Sequence, residues 1–289
     1  MMIIKDYLTI PGTKSFNQDQ FGFVLADSSA ACWVIDGATP IDNTSFIPSA
    51  NDTSWFVQHV HQELIKLSLK DGIPDDIFEN VIQNVSSLYD IMVGGIDKVP
   101  IELRPLAAIS WVRITRIASN YLIEYAGFAD CYAIIQQSDG NHIPLNDFNI
   151  YDNTIIENKI INLHKQGIRE QELLRKYLVE DLKHDRIKQN LERTSQILGL
   201  QVDAINNINK KTLSLDFPFH ILLASDGFFR IIDMYKRYSV EELLSKVITH
   251  GLGSIYNELS NLENSDNLCL KYPRIKVSDD ITALLTFIS

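Results

Sequence analysis

Ala31-Cys32-Trp33-Val34-Ile35 is a continuously apolar run that stops abruptly at Asp36-Gly37. A strand with one wet face alternates apolar and polar residues, so an unbroken run predicts a strand covered on both sides. Gln20-Phe21-Gly22-Phe23-Val24-Leu25 precedes it, and Asp27-Ser28-Ser29 makes the turn between the two. The pattern returns far downstream, where Ile221-Leu222-Leu223-Ala224 stops at Ser225-Asp226-Gly227. Two more acids stand just before apolar strands: Asp130 ahead of Cys131-Tyr132-Ala133-Ile134-Ile135, and Asp279 (followed by Asp280) ahead of the run from Ile281 to Ile288.

Between these runs the period changes to that of helices. Asn51-Asp52-Thr53-Ser54 offers an N-cap to a helix carrying Phe56, Val60, Leu64 and Leu67. Pro74-Asp75-Asp76 opens a second helix through Ile77, Val81, Val85, Leu88 and Met92, which Gly94-Gly95 ends. Residues 106–117 and 121–136 read as paired strands with Ser119-Asn120 at the turn. From about 157 to 198 the chain is polar and helical, with Leu174, Leu178 and Leu182 four apart, and 199–218 reads as loop. Ser239-x-x-Glu242 is a capping box. Strands at both ends with helices between them, without repeats or linkers, predict one α+β domain over residues 1–289.

Composition removes several functions. The 289 residues are 45% hydrophobic, too rich in apolar side chains for a disordered chain. No apolar run nears the roughly 20 residues of a membrane helix, and no secretory leader opens the sequence, so no membrane partner is expected. Cys32, Cys131 and Cys269 are three widely spaced cysteines, which argues against a disulfide framework or zinc ribbon and for a cytoplasmic setting. With 26 basic against 37 acidic side chains the net charge is −11, so nucleic acid is not an expected partner.

Asp and Gly commonly end strands, which alone accounts for any one of these sites. Four together carry more, because neighbouring strands share a rim where their carboxylates can meet. Like charges brought together repel unless a cation neutralises them. Oxygen ligands without His or Cys select a hard ion, Mg²⁺ or Mn²⁺. Glycine at Gly37 would let a backbone carbonyl approach such an ion.

Asn17-Gln18-Asp19, Val34-Ile35-Asp36-Gly37, Ala129-Asp130-Cys131-Tyr132-Ala133, Leu223-Ala224-Ser225-Asp226-Gly227 and Asp279-Asp280-Ile281-Thr282 occur in that order. Together they resemble the ordered motifs of the metal-dependent PP2C (PPM) serine/threonine protein phosphatases of bacterial type, over about residues 10–288. The resemblance implies a four-layer α-β-β-α sandwich of two antiparallel sheets flanked by helices. It implies hydrolysis of phosphoserine and phosphothreonine in phosphorylated proteins, with two Mg²⁺ or Mn²⁺ ions and room for a third. Asp36 would bridge both metals and the Gly37 carbonyl would bind one of them. Asp226 and Asp279 would hold the other. Asp130 would serve the third, weaker metal with Asp226, and Asp19 would orient metal-bound water.

The chain departs from that family pattern in places. Lys14 stands where the family has a phosphate-gripping Arg, and supplies charge without a bidentate fork. Gln18 replaces a frequent Glu, and Ala38-Thr39-Pro40 places no histidine beside the metals. Ala129 replaces a glycine, an exchange that costs little if the backbone there is extended. The interval of about 140–218 matches the family's variable flap.

Other readings fare less well. The Asp36 stretch has a superficial likeness to the haloacid-dehalogenase motif, but Val34 and Ala224 occupy the nucleophile's slot. Gly94-Gly95 lacks the Lys-Ser/Thr of a P-loop. His59 and His61 face different sides of a helix and do not form a metal pair. The rival from another class is a catalytically silent PP2C-like domain that binds phosphoproteins or a regulatory partner. Lys14 and Gln18 favour it, and the retained, mutually repelling acids disfavour it.

Overall fold

The computed structural model describes residues 2–13, 16–48, 51–146, 154–191, 196–216 and 218–289. In chain order the strands are Met2–Ile10 (β1), Gln20–Leu25 (β2), Ser29–Gly37 (β3), Ala107–Ile117 (β4), Asn120–Phe128 (β5), Tyr132–Gln137 (β6), His142–Pro144 (β7), Asn209–Leu215 (β8), Phe219–Ala224 (β9) and Ile281–Ile288 (β10). The helices are Asp52–Leu67 (α1), Pro74–Val93 (α2), Thr154–Lys165 (α3), Gln171–Leu191 (α4), Asp226–Asp233 (α5), Val240–His250 (α6) and Leu252–Ser265 (α7). The strands form two five-stranded sheets, β1-β10-β9-β6-β7 and β2-β3-β4-β5-β8. Every pairing in both sheets is antiparallel.

The alternation hidden inside the apolar run of β3 sorts the layers. Successive strand residues point to opposite faces, and here both faces are dry. Ala31, Trp33 and Ile35 pack with Phe56, Val60 and Leu64 of α1 and Phe78 and Val81 of α2. Cys32 and Val34 point the other way and meet Ile221 and Leu223 of β9 and Leu284 of β10 between the sheets. The far face of β9 and β10, through Leu222, Ala224, Ala283 and Leu285, is covered by Phe228 of α5, Leu244 of α6 and Leu259 of α7. Helices, sheet, sheet and helices follow in four layers, the α+β sandwich expected from the sequence.

Local signals set most helix ends. The Asn51 side chain accepts the Ser54 N–H at the start of α1, and Ser239 and Glu242 cap α6 reciprocally. Gly94 ends α2 in the left-handed conformation that glycine adopts freely. The buried stripe of α2 runs through Ile77, Val81, Val85 and Tyr89, whereas Leu88 and Met92, expected on it, are exposed. His59 and His61 are both engaged, one with the Trp55 carbonyl and the other with the Trp33 indole N–H.

Two elements differ from the sequence reading. Asn209–Leu215, read as loop, forms β8 at the edge of a sheet against β5, with only partial burial to mark it. The helical stretch after 157 is divided into α3 and α4 by a turn at Gly167. Leu174, Leu178 and Ile160 form a small core of their own, against which Leu182 and Ile275 pack.

Candidate metal centre

Strand register brings the five sequence-predicted acids to one rim. Gln20 pairs with Ile35, so Asp19 lies one step beyond it beside Asp36. Ala224 pairs with both Ala283 and Tyr132. The Ser225 N–H continues that ladder to Thr282 O at 2.8 Å, so Asp226 sits beside the residues that precede β10 and β6. Those residues are Asp279-Asp280 and Asp130. Asp36 closes the set from the end of β3, across the gap between the sheets.

The glycines after two of the acids are required by crowding. A Cβ on Gly37 would stand 2.6 Å from Gln18 O and 2.8 Å from Thr53 Cγ2. One on Gly227 would stand 2.0 Å from Asp280 O. Only hydrogen fits at either position, so the segments that carry Asp36 and Asp226 approach the neighbouring backbone closely.

The carboxylates feel one another. Burial opposes ionisation of Asp36, and the charges of Asp19, Asp226 and Asp279 add to it, so its carboxyl titrates well above the usual range. Asp226 is also within hydrogen-bonding reach of Asp36 and helps to keep its proton. Burial and the Asp226 charge push Asp130 up to about 7. Asp19 is 7% exposed, and neither of its oxygens has a hydrogen-bond partner among the described residues. Burial, then the Asp280 charge, drive its carboxyl up; the Ser225 hydroxyl eases this but also bonds to the Thr282 backbone.

Asp279 differs. Lys276 Nζ bonds its Oδ1, and Arg230 Nη2 donates to its Oδ2 at 2.5 Å. Burial opposes its ionisation too, but Lys276 and Arg230 more than offset this and hold the carboxyl down at about 2. Arg230 also lies 3.7 Å from Glu263 of α7, and Lys276 donates to Thr39 Oγ1 at 3.0 Å. Among the described residues no three His, Cys, Asp or Glu side chains are drawn together into a ready-made metal site. The donor chemistry nonetheless fits a hard cation. Oxygen ligands predominate, their charges repel, and Asp19 carries two buried oxygens without a donor.

Several contributors escaped the sequence reading. Asp280 accepts the Gly12 and Gln18 backbone N–H groups, both at 2.8 Å, and so ties the segment before β2 to the start of β10. Arg230, four residues after Asp226, and Lys276, three before Asp279, are visible as spacings. Nothing local says that both end on one carboxylate. Ala129 has φ +59°, so the backbone before Asp130 is left-handed and not extended, and alanine there is strained. Lys14, expected at the phosphate, lies outside the described residues.

Helix α4 borders the rim. Arg186 donates to Thr39 O at 3.1 Å, and Arg175 to Pro40 O and Ile41 O, which fixes the loop that follows Gly37. A cleft of about 680 Å³ lies between that loop and α4, lined by Phe16, Thr39, Asn43, Arg175 and Lys176 among others. No helix among the described residues is long and apolar enough to cross a membrane.

No protein-family model and no curated protein matches the chain. Solved structures do. RsbX in complex with magnesium is 12% identical, with a TM-score of 0.52 over 100% of both chains. The Mycobacterium tuberculosis serine/threonine phosphatase PstP/Ppp is 12% identical, TM-score 0.51, over 100% of this chain and 99% of its own. The Staphylococcus aureus serine/threonine phosphatase Stp1 is 14% identical, TM-score 0.52, over 99% and 96%. The PstP catalytic domain has been solved in complex with 2 manganese ions. At this identity the likeness is one of fold: the chain is built as the PP2C-type serine/threonine phosphatases are.

Proposed function

We propose that this chain is a metal-dependent phosphoprotein phosphatase that hydrolyses phosphoserine and phosphothreonine. The observation that carries the reading is the gathering of Asp19, Asp36, Asp130, Asp226 and Asp279 at one rim, with Asp36 and Asp19 lacking any cation among the described residues. A buried acid cluster without compensation destabilises a fold, so it calls for a ligand of opposite charge. The solved structures of like fold that carry magnesium or 2 manganese ions support the same choice.

Asp36 would serve both ions, with the Gly37 carbonyl at one and Asp226 and Asp279 at the other, and Asp130 would be available to a third. Bound divalent ions supply charge for the phosphoryl oxygens and acidify water near neutral pH. Asp19, buried at the same rim, would orient a water ligand of the bound ions. The α4 residues Arg175 and Arg186 hold the loop after Gly37 in place beside the cleft. Cys131, beside Asp130, is fully buried, and burial, then the charge of Asp36, raises its thiol well above the usual range, which disfavours a thiolate there.

The test is hydrolysis of p-nitrophenyl phosphate and of a phosphothreonine peptide with Mn²⁺. Turnover is expected with the metal and is expected to vanish in EDTA. Turnover that survives EDTA would remove the metal reading. A folded protein that binds Mn²⁺ and never hydrolyses would leave the silent, phosphoprotein-binding module.

A further inference from the structure

Within the acid cluster the cations are unevenly shared. No salt bridge among the described residues reaches Asp19, Asp36, Asp130 or Asp226, whereas Asp279 has two. Its Oδ1 takes Lys276 Nζ and the Asp280 N–H, the latter at 3.0 Å, and its Oδ2 takes Arg230. Both cations are anchored elsewhere as well. Lys276 holds Thr39 in the loop after Gly37, and Arg230, 9% exposed, stands beside Glu263.

We propose that Lys276 and Arg230 are resident counter-cations of Asp279, and that they make the second divalent ion of the centre bind much more weakly than the first. The inference rests on the metal-dependent reading above. A metal ion that uses Asp279 must break at least one charge-assisted bond and then sit beside a displaced ammonium or a guanidinium. One such bond corresponds to about a tenfold or greater change in affinity. An ion entering between Asp36 and the Gly37 carbonyl displaces no salt bridge among the described residues and relieves repulsion instead, whereas the charges of Arg230 and Lys276 reach Asp226 as well as Asp279. Arg230 keeps Glu263 as a partner and Lys276 keeps Thr39, so neither leaves the site readily. The chain thus replaces part of the second metal's charge with its own.

Free Mn²⁺ measured by electron paramagnetic resonance during titration of the full chain reads this without recourse to activity. The wild type is expected to take up one equivalent at least about tenfold more tightly than the second. Lys276→Gln removes the charge and keeps a polar end; it should tighten the second equivalent by about tenfold and leave the first nearly unmoved. Asp279→Asn should abolish the second equivalent and spare the first. Circular dichroism checks that each variant folds, and if Lys276→Gln does not, Lys276→Met replaces it. Two equivalents of similar affinity in the wild type, or a second site indifferent to loss of the Lys276 charge, would overturn the proposal alone. Failure of the wild type to bind Mn²⁺ would overturn the phosphatase reading and this inference with it.

Discussion

Asp280 Oδ2 accepts the Gln18 backbone N–H at 2.8 Å, and its other oxygen accepts that of Gly12 at the same distance. One buried carboxylate therefore fixes the segment carrying Asp19 against the strand that follows Asp279. Asp280→Ala should destabilise the protein by about 2–3 kcal/mol, because two donors lose a charged acceptor. The urea midpoint measures the loss, and an unchanged midpoint would show that the clamp contributes nothing.

Ala129 offers a change in the opposite direction. Its φ of +59° in a buried position is a conformation that glycine adopts freely and alanine does not. Ala129→Gly should relieve that strain against a smaller entropic loss in the unfolded chain, for a net gain of roughly 0.5–1 kcal/mol. A lower melting temperature in the variant would contradict this account of the backbone.

The site was legible where chemistry and strand grammar coincide. The runs ending at Asp36-Gly37 and Asp226-Gly227 revealed both buried strands and their acids, because a double-faced strand must be apolar throughout. β8 was missed because Asn209-Lys210-Lys211-Thr212 is polar, as suits an edge strand that charge protects from further pairing. β1 was not read either, although Met2–Ile10 alternates in burial along nearly its whole length. The pairing of Arg230 and Lys276 on Asp279 could not be read at all, since it depends on where α5 and the approach to β10 meet in space. The strain at Ala129 was likewise hidden: the residue type is visible in sequence, its φ is not.

Protonation of the metal-free cluster gives a pH signature. The folded pKa of Asp130 is raised from 3.8 to about 7, so its contribution to stability is full below 3.8 and is lost as pH rises through about 7. Asp279 is depressed to about 2 and loses its contribution only as pH falls through that value, so it is flat in this window. His61, His164 and His220 are depressed by burial and act oppositely below about 6.5. Comparison with Asp130→Asn cancels them. In EDTA, the wild type should lose melting temperature relative to Asp130→Asn between pH 5 and pH 8. A constant difference would refute the raised pKa.

Arg175 holds two carbonyls of the loop that follows Gly37. Arg175→Ala should cost about 1–2 kcal/mol of stability. It should also speed amide hydrogen exchange in residues 38–43 while protection in β4 stays as it was. Slow exchange at both places in the variant would mean that α4 does not brace the loop.

The most direct measurement is the rate of phosphothreonine-peptide hydrolysis at saturating Mn²⁺ for the wild type, Asp36→Asn and Asp226→Ala, each shown to be folded. Asp36 lies at the end of β3 and Asp226 opens α5 just after β9, a strand of the other sheet, so no strand pairing joins them. If both belong to one cation site, each substitution should lower the rate by at least about a hundredfold, as loss of a group that acts on developing charge does. Wild-type rates in both variants would contradict the account, since the two carboxylates would then have no common task.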